Sequence, residues 1–291
     1  MKSPKKLILI LGDQLDLNST ALRNTNIHMD EIFMVESKPE AQYVWSHKAK
    51  IALFLSAMRH FAQALKNLGY VVTYIQDSSL SIVDALKEKI TQDGITHLVC
   101  IEPGEWRLKH EIEAMAKELK IHLDMREDDH FFCSHHEFTE WSAGKKELRL
   151  EYFYRLMRKR HNILINADGE PVGGQWNFDQ DNRRPYPKKG PGIIDEPVFF
   201  EPDDITQSVI DYVQKTYPNH PGSLEHFRWP VTREEALEAL AYFAEYRLQN
   251  FGVYQDAMWT DTPYGWHSIL SSSLNLKLLN PREVINAVLD A

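Results

Sequence analysis

The first 130 residues alternate between short apolar runs and longer stretches with helical periodicity. The apolar runs predict strands at residues 6–11, 31–35, 71–75, 95–101 and 121–125. The intervening stretches predict helices at residues 46–68, 79–93 and 106–119. Ser46 is the expected N-cap of the first helix, and Gly69 and Gly94 are expected helix stops. Such alternation favours a parallel sheet covered by helices on both faces, so we predict a Rossmann-like α/β fold.

Polar residues follow the first two predicted strands. Asp13 and Gln14 come after the first strand, and Glu40 comes after the second. Ligands of parallel sheets bind beyond the carboxyl ends of the strands, so these side chains are expected at one ligand-binding edge. Carboxylates and an amide suit a ligand with many N–H and O–H donors, such as a ribityl chain or a heterocycle. In the alternative interpretation, Asp13 caps a turn and Glu40 faces water.

Composition narrows the class of protein. The chain has 291 residues, of which 43% are hydrophobic and 26% charged, as in folded globular domains. No apolar run approaches the roughly 18 residues of a membrane span, and residues 7–11 are too short for a signal peptide. Cys100 and Cys133 fit a reducing compartment and cannot by themselves build a four-thiolate cluster. We expect a cytoplasmic protein that does not bind membranes.

The formal net charge of −9 means that any contact with DNA must come from a local basic patch. Residues 148–161 predict a basic amphipathic helix in which Arg158 and Arg160 lie among aromatic residues, a pattern typical of a phosphate-binding surface. An ordinary surface helix with its aromatics turned inward is the alternative. A second basic segment is rich in Pro and Gly and contains Arg183, Arg184, Lys188 and Lys189.

The loop at residues 173–185 is unusual because it holds Trp176 and Phe178 among charged residues. Loops of this kind carry function more often than core segments do. We hypothesise that Asp179 approaches Asp256 and that the two carboxylates share a divalent cation, for which magnesium with its oxygen ligands is suited. The alternative is that Asp179 caps its own turn.

The last 60 residues predict helices. One covers residues 236–250 and begins at a capping sequence at Thr232, and another begins at Asn280 and Pro281. Between them, Ser268 and Ser271 can offer hydroxyls, together with free helix N–H groups, to a phosphate.

Residues 267–283 resemble the stretch of the photolyase/cryptochrome family in which a serine-rich helix start binds the diphosphate of FAD. Five further segments narrow the resemblance to the bacterial iron–sulfur branch of that family, the prokaryotic (6-4) photolyases. These segments are residues 12–15, 102–107, 151–155, 173–183 and 255–258.

The resemblance implies an antenna domain at residues 1–130, a connecting segment at 131–230 and the start of an all-helical FAD domain at 231–291. It implies that the antenna is 6,7-dimethyl-8-ribityllumazine. By matching positions, Asp13, Gln14 and Glu40 would contact the lumazine. Ser268, Leu270 and Ser271 would contact the FAD diphosphate.

The resemblance also implies a reaction. Light collected by the antenna excites reduced FAD, which passes an electron to a pyrimidine lesion flipped out of damaged DNA, a carbon–carbon lyase chemistry. Members of this branch are far longer and carry a [4Fe-4S] cluster on four cysteines, and most of the FAD pocket is expected beyond residue 291. We therefore expect the N-terminal part of a photolyase, monomeric and inactive alone, that binds FAD weakly or not at all. Two alternatives remain open: a cryptochrome-like blue-light sensor, and a non-catalytic α/β module that binds a chromophore or nucleotide.

Overall fold

The computed structural model describes residues 5–291; residues 1–4 of the predicted antenna domain lie outside the described residues. The chain divides into two compact units. The first contains the described residues up to His130 together with Phe199–Ala239 and Leu270–Asn280. The second contains Phe131–Val198, Leu240–Ile269 and Pro281–Ala291. The predicted domain boundaries at residues 130 and 230 stay a prediction.

A five-stranded parallel sheet forms the centre of the first unit, which confirms the predicted α/β fold. Its strands are β1 (Lys6–Leu9), β2 (Glu31–Ser37), β3 (Val71–Ser78), β4 (His97–Ile101) and β5 (His122–Arg126). They lie in the order β3-β2-β1-β4-β5. This is the order of a doubly wound sheet, in which the direction of winding reverses between β1 and β4.

Helices pack on the sheet because alternate strand residues point to opposite faces. Four helices connect the strands: α1 (Lys38–Tyr43), α2 (Lys48–Asn67), α3 (Ile82–Asp93) and α4 (Trp106–Leu119). Leu7, Leu9 and Phe33 form a core with the buried residues of α3 and α4. Ile8 and Ile32, which alternate with them, are also buried, so neither face of the sheet is left to solvent.

Two predicted helix starts are wrong by a few residues. His47, not Ser46, caps α2, and its Nδ1 accepts a hydrogen bond from the Ala49 N–H at 3.0 Å. Helix α3 begins at Ile82, and Ser81 accepts from the Asp84 N–H. The end of α3 is as predicted, because Gly94 adopts the left-handed conformation that favours glycine at this position.

Three further helices belong to the first unit or begin there: α7 (Asp204–Thr216), α8 (Arg233–Tyr242) and α10 (Ser271–Asn275). The capping sequence predicted before α8 is confirmed, since Glu235 N–H donates to the Thr232 hydroxyl and the Glu235 carboxylate accepts from the Thr232 N–H. Helix α7 was not predicted, although Asp203 caps it by accepting from the Thr206 N–H.

The second unit is built from helices and loops. It contains α5 (His135–Ser142), α6 (Leu150–His161), a 3₁₀ turn (Asp181–Arg183), α9 (Leu248–Tyr254) and α11 (Pro281–Asp290). The prediction of one continuous helix over residues 236–250 is wrong, because a π-helical turn at Phe243–Arg247 separates α8 from α9. The wider turn leaves both Phe243 and Arg247 buried.

Across residues 5–291, every helix is too short or too polar to cross a lipid bilayer.

Candidate functional site

The reversal point of the sheet brings two loops together in the first unit. One follows β1 and contains Gly12, Asp13 and Gln14; the other follows β4 and contains Gly104. A methyl group at Gly104 would lie 3.8 Å from Oδ2 of Asp13, so the two loops are neighbours. This is the edge where doubly wound sheets bind ligands.

Asp13 is a half-buried carboxyl group. Burial raises its pKa, the nearby Lys277 ammonium opposes the rise, and Asp128 adds to it. The Lys277 amine lies 2.5 Å from Oδ2 of Asp128 and is itself buried. The attraction of Lys277 therefore does not fully offset the cost of burying the Asp13 carboxylate. Asp13 can accept hydrogen bonds from donors on a ligand.

Gln14 is fully buried beside Asp13. Its Oε1 accepts a long hydrogen bond of 3.4 Å from the Leu11 N–H. Its Nε2 has no hydrogen-bond partner among the described residues. A buried amide donor without a partner costs free energy unless a ligand or a water satisfies it, so this group is suited to a carbonyl or ring nitrogen of a bound molecule.

Glu40 lies in α1 after β2 and forms an ion pair with α4. Its Oε2 is 2.8 Å from Nη2 of Arg107, which also pairs with Glu105 and Glu111. The Arg107 guanidinium lies 4.6 Å from the ring centroid of Tyr43. Glu40 is thus held by a positive charge rather than left facing water.

Sequence reasoning missed Lys277 and Asp128 in this region. Asp128 was available, because it follows β5 at the same edge of the sheet. Nothing in the sequence indicated that Lys277 lies near Asp128, because the two residues are 149 positions apart along the chain. The Lys277 segment reaches the β1 loop through a backbone hydrogen bond of 3.1 Å from Leu15 N–H to the Leu276 carbonyl.

The residues predicted to hold a diphosphate lie on both sides of a unit boundary in the sequence. Leu270 and Ser271 belong to the first unit, where Leu270 is buried and Ser271 begins α10. Ser268 belongs to the second unit. In the first unit the hydroxyls of Ser272 and Ser273, the next two residues of α10, have no partner among the described residues.

The predicted DNA-contacting residues all lie in the second unit. Arg184, Lys188 and Lys189 are exposed. Arg160 forms an ion pair with Glu137 at 2.9 Å. Arg158 differs from the others because it is buried and donates to backbone carbonyls.

The two carboxylates predicted to share a cation are both exposed, and Asp256 lies 3.9 Å from the Arg183 guanidinium. Among residues 5–291, no group of three or more His, Cys, Asp or Glu side chains is close enough together to hold a metal ion. The cation site of Asp179 and Asp256 stays a prediction.

A profile of the family described as "Deoxyribodipyrimidine photo-lyase-related protein" matches residues 8–229 of this sequence. The chain belongs to this family. The match begins within β1 and covers the other four strands of the sheet and the Asp13 and Gln14 loop. Family membership and the architecture therefore agree with the resemblance that the sequence motifs indicated.

One curated relative and one solved structure add detail. The (6-4) photolyase of Agrobacterium fabrum is 43% identical over 288 residues, which cover 97% of this chain and 56% of that protein. The crystal structure of a bacterial class III photolyase from Agrobacterium tumefaciens shares the fold, with a TM-score of 0.55 at 12% sequence identity. That alignment covers 99% of this chain and 53% of the other. The chain thus spans about half the length of each of these two proteins.

Proposed function

We propose that this chain is the antenna-bearing N-terminal portion of a light-dependent DNA repair photolyase of the (6-4) lesion type. In this proposal the first unit binds 6,7-dimethyl-8-ribityllumazine, which absorbs light and transfers the energy to FAD in the full-length protein. The observation that carries the proposal is the pair formed by the half-buried Asp13 carboxyl and the partnerless Gln14 amide at the reversal point of the sheet.

The chemistry of these groups fits a lumazine. Its ring presents an N–H donor beside carbonyl acceptors, and its ribityl chain presents hydroxyls. The Asp13 carboxylate would accept from an N–H or a hydroxyl, and Gln14 Nε2 would donate to a carbonyl or ring nitrogen. Glu40, held by its ion pair with Arg107, would accept from further hydroxyls.

FAD would supply the electron transfer to the lesion when bound. Ser268, Leu270 and Ser271 would contribute to its diphosphate site, and the partnerless hydroxyls of Ser272 and Ser273 support a polar group near α10. A [4Fe-4S] cluster needs four thiolates, whereas this chain has only Cys100 and Cys133, so a cluster does not fit here. FAD, the cluster and repair activity are therefore proposed for the full-length protein.

The partner in this proposal is damaged DNA, bound by a monomeric cytoplasmic protein. Arg183, Arg184, Lys188 and Lys189 would contact its phosphates, together with Arg160 of α6. Magnesium at Asp179 and Asp256 would screen the phosphates beside them.

The test is uptake of lumazine by the purified chain. We expect added 6,7-dimethyl-8-ribityllumazine to bind, with a rise in its fluorescence anisotropy. Asp13→Asn should weaken binding by about 10- to 100-fold, because a hydrogen bond to a charged group is lost. Asp211→Asn, which changes an exposed carboxylate on α7, is the matched control and should bind like the unmodified chain. A correctly folded chain that takes up no lumazine would contradict the antenna proposal and favour a module without a chromophore.

A further inference from the structure

Three cationic side chains surround one indole ring in the second unit. The guanidinium carbons of Arg155 and Arg158 lie 5.5 Å and 5.3 Å from the ring centroid of Trp176, and the Lys159 amine lies 5.1 Å from it. Each distance is within the range of a cation–π interaction. We call this arrangement the Trp176 cluster.

The Trp176 cluster carries more positive than negative charge. Arg155 pairs with Glu151 at 2.7 Å. Lys159 has no carboxylate partner among the described residues, and the Arg158 guanidinium donates to carbonyl oxygens, which carry no formal charge. The cluster therefore holds three cationic side chains and one paired carboxylate, although the net charge of the chain is −9. Such a local excess is stable only if the ring, the solvent or an anionic ligand offsets the repulsion.

Arg158 has a different role from its neighbours. It is buried, and its guanidinium donates to the carbonyls of Ile163 at 3.1 Å, Leu164 at 2.7 Å and Trp176 at 3.0 Å. These bonds attach the chain after α6 and the Trp176 backbone to the helix. Because its donors are used internally, Arg158 positions the cluster rather than contacting a ligand.

Lys159 is exposed and Arg155 is partly exposed on the same side of α6, four residues apart. Tyr152 lies one turn earlier on this side and is 57% exposed. The accessible part of the cluster is thus two cations supported by an indole, beside an exposed aromatic ring. Regularly spaced cations with aromatic neighbours suit the phosphates of a nucleic acid.

We propose that Arg155 and Lys159, held by Trp176 and positioned by Arg158, bind the phosphate backbone of duplex DNA. This inference rests on the proposed function, and it deepens that function by naming the contact residues of α6. In this inference the α6 side chains that contact the phosphates are Arg155 and Lys159, and not Arg158.

The experiment measures binding of a fluorescent duplex to the 291-residue chain at several salt concentrations. Non-specific binding depends on salt, with a slope that falls by about 0.9 for each phosphate contact removed. Lys159→Gln and Arg155→Gln should each reduce the slope by about this amount and weaken binding at low salt about 3- to 10-fold. Lys146→Gln, which changes another exposed lysine of the second unit, is the control and should leave the slope unchanged.

The indole is tested separately. Trp176→Phe keeps an aromatic face and should retain most of the binding, whereas Trp176→Leu should lose it to about the extent of Lys159→Gln. An unchanged slope in Lys159→Gln and Arg155→Gln would overturn the inference. So would binding of anionic phospholipid vesicles with the same affinity and the same dependence on Lys159. Lumazine uptake by the same preparations reports on the proposed function independently, since it depends on the first unit.

Discussion

Glu31 shows how a single buried carboxylate can govern stability in acid. It lies on β2 and pairs with Lys5 and Lys89, each at 2.6 Å, and the Thr73 hydroxyl also donates to it. Burial opposes ionisation, but these three bonds outweigh it and lower the pKa of Glu31 to about 2. The stabilisation is therefore present above the ordinary pKa of 4.5 and is lost as the pH falls towards 2.

We expect Glu31→Gln to lower the free energy of unfolding at pH 7 by on the order of 2 kcal/mol, because the ion pairs are lost. The deficit should shrink as the pH falls below 4.5, since the unmodified chain then loses the same interactions. Urea unfolding at pH 7 and pH 3 measures both values. Glu88→Gln, at an exposed position of α3, is the control. An equal loss of unfolding free energy at pH 7 and pH 3 would contradict the lowered pKa of Glu31.

Asp13 should behave in the opposite way. Burial raises its pKa, so the carboxyl is tolerated best when protonated, and stability is lost as the pH rises through its raised pKa. Asp13→Asn should therefore stabilise the first unit at pH 8 while having little effect at pH 3, and it should still weaken lumazine binding. Thermal unfolding at the two pH values gives the measurement. Asp128→Asn is the contrast, because it leaves buried Lys277 without its ion-pair partner and should destabilise the unit.

At the scale of elements, the π-helical turn positions Arg247 to organise loops of the second unit. Arg247 is 1% exposed and donates to the carbonyls of Asp195 at 2.6 Å, His267 at 3.1 Å and Gly265. Ile269, two residues after His267, has a φ of +58°, which is strained for a β-branched residue. The hydrogen bonds to Gly265 and His267 help to hold the chain next to this strained position.

We expect Arg247→Met to destabilise the second unit by about 3 kcal/mol, because three carbonyls lose their donor. Amide hydrogens at residues 265–269 should exchange faster, while those of the β-sheet in the first unit keep their protection. Hydrogen exchange resolved by mass spectrometry separates the two. Arg149→Met, at an exposed arginine before α6, is the control. Unchanged exchange at residues 265–269 would show that other contacts hold this loop.

At the scale of the whole molecule, much of the first unit was predictable because its signals are local. Strand runs, helical periodicity and the glycine at position 94 depend on residues close in sequence. Asp13, Gln14 and Glu40 could be named because the carboxyl edge of a parallel sheet follows from strand–helix alternation. The motifs also indicated the family, which the profile match over residues 8–229 confirms.

Other features left only a weak pattern in the sequence, or they depended on residues that are far apart along the chain. Helix α7 was missed although Asp203 caps it, because it lies in a stretch rich in Pro and polar residues. The division of the chain into units was unpredictable, since each unit combines segments that are distant in sequence. Arg158 and Arg160 look equivalent in the sequence. In the structure Arg158 is buried and donates to carbonyl oxygens, whereas Arg160 forms an exposed ion pair.

The order of residues along the chain was sufficient to determine the α/β architecture and the family. Only the tertiary structure decided the surroundings of each site. It placed Lys277 and Asp128 by Asp13, left the Gln14 amide without a partner and gathered three cations around Trp176. The physical reason is range: backbone propensity and periodicity act over a few residues, whereas burial and charge pairing depend on segments that meet only after folding.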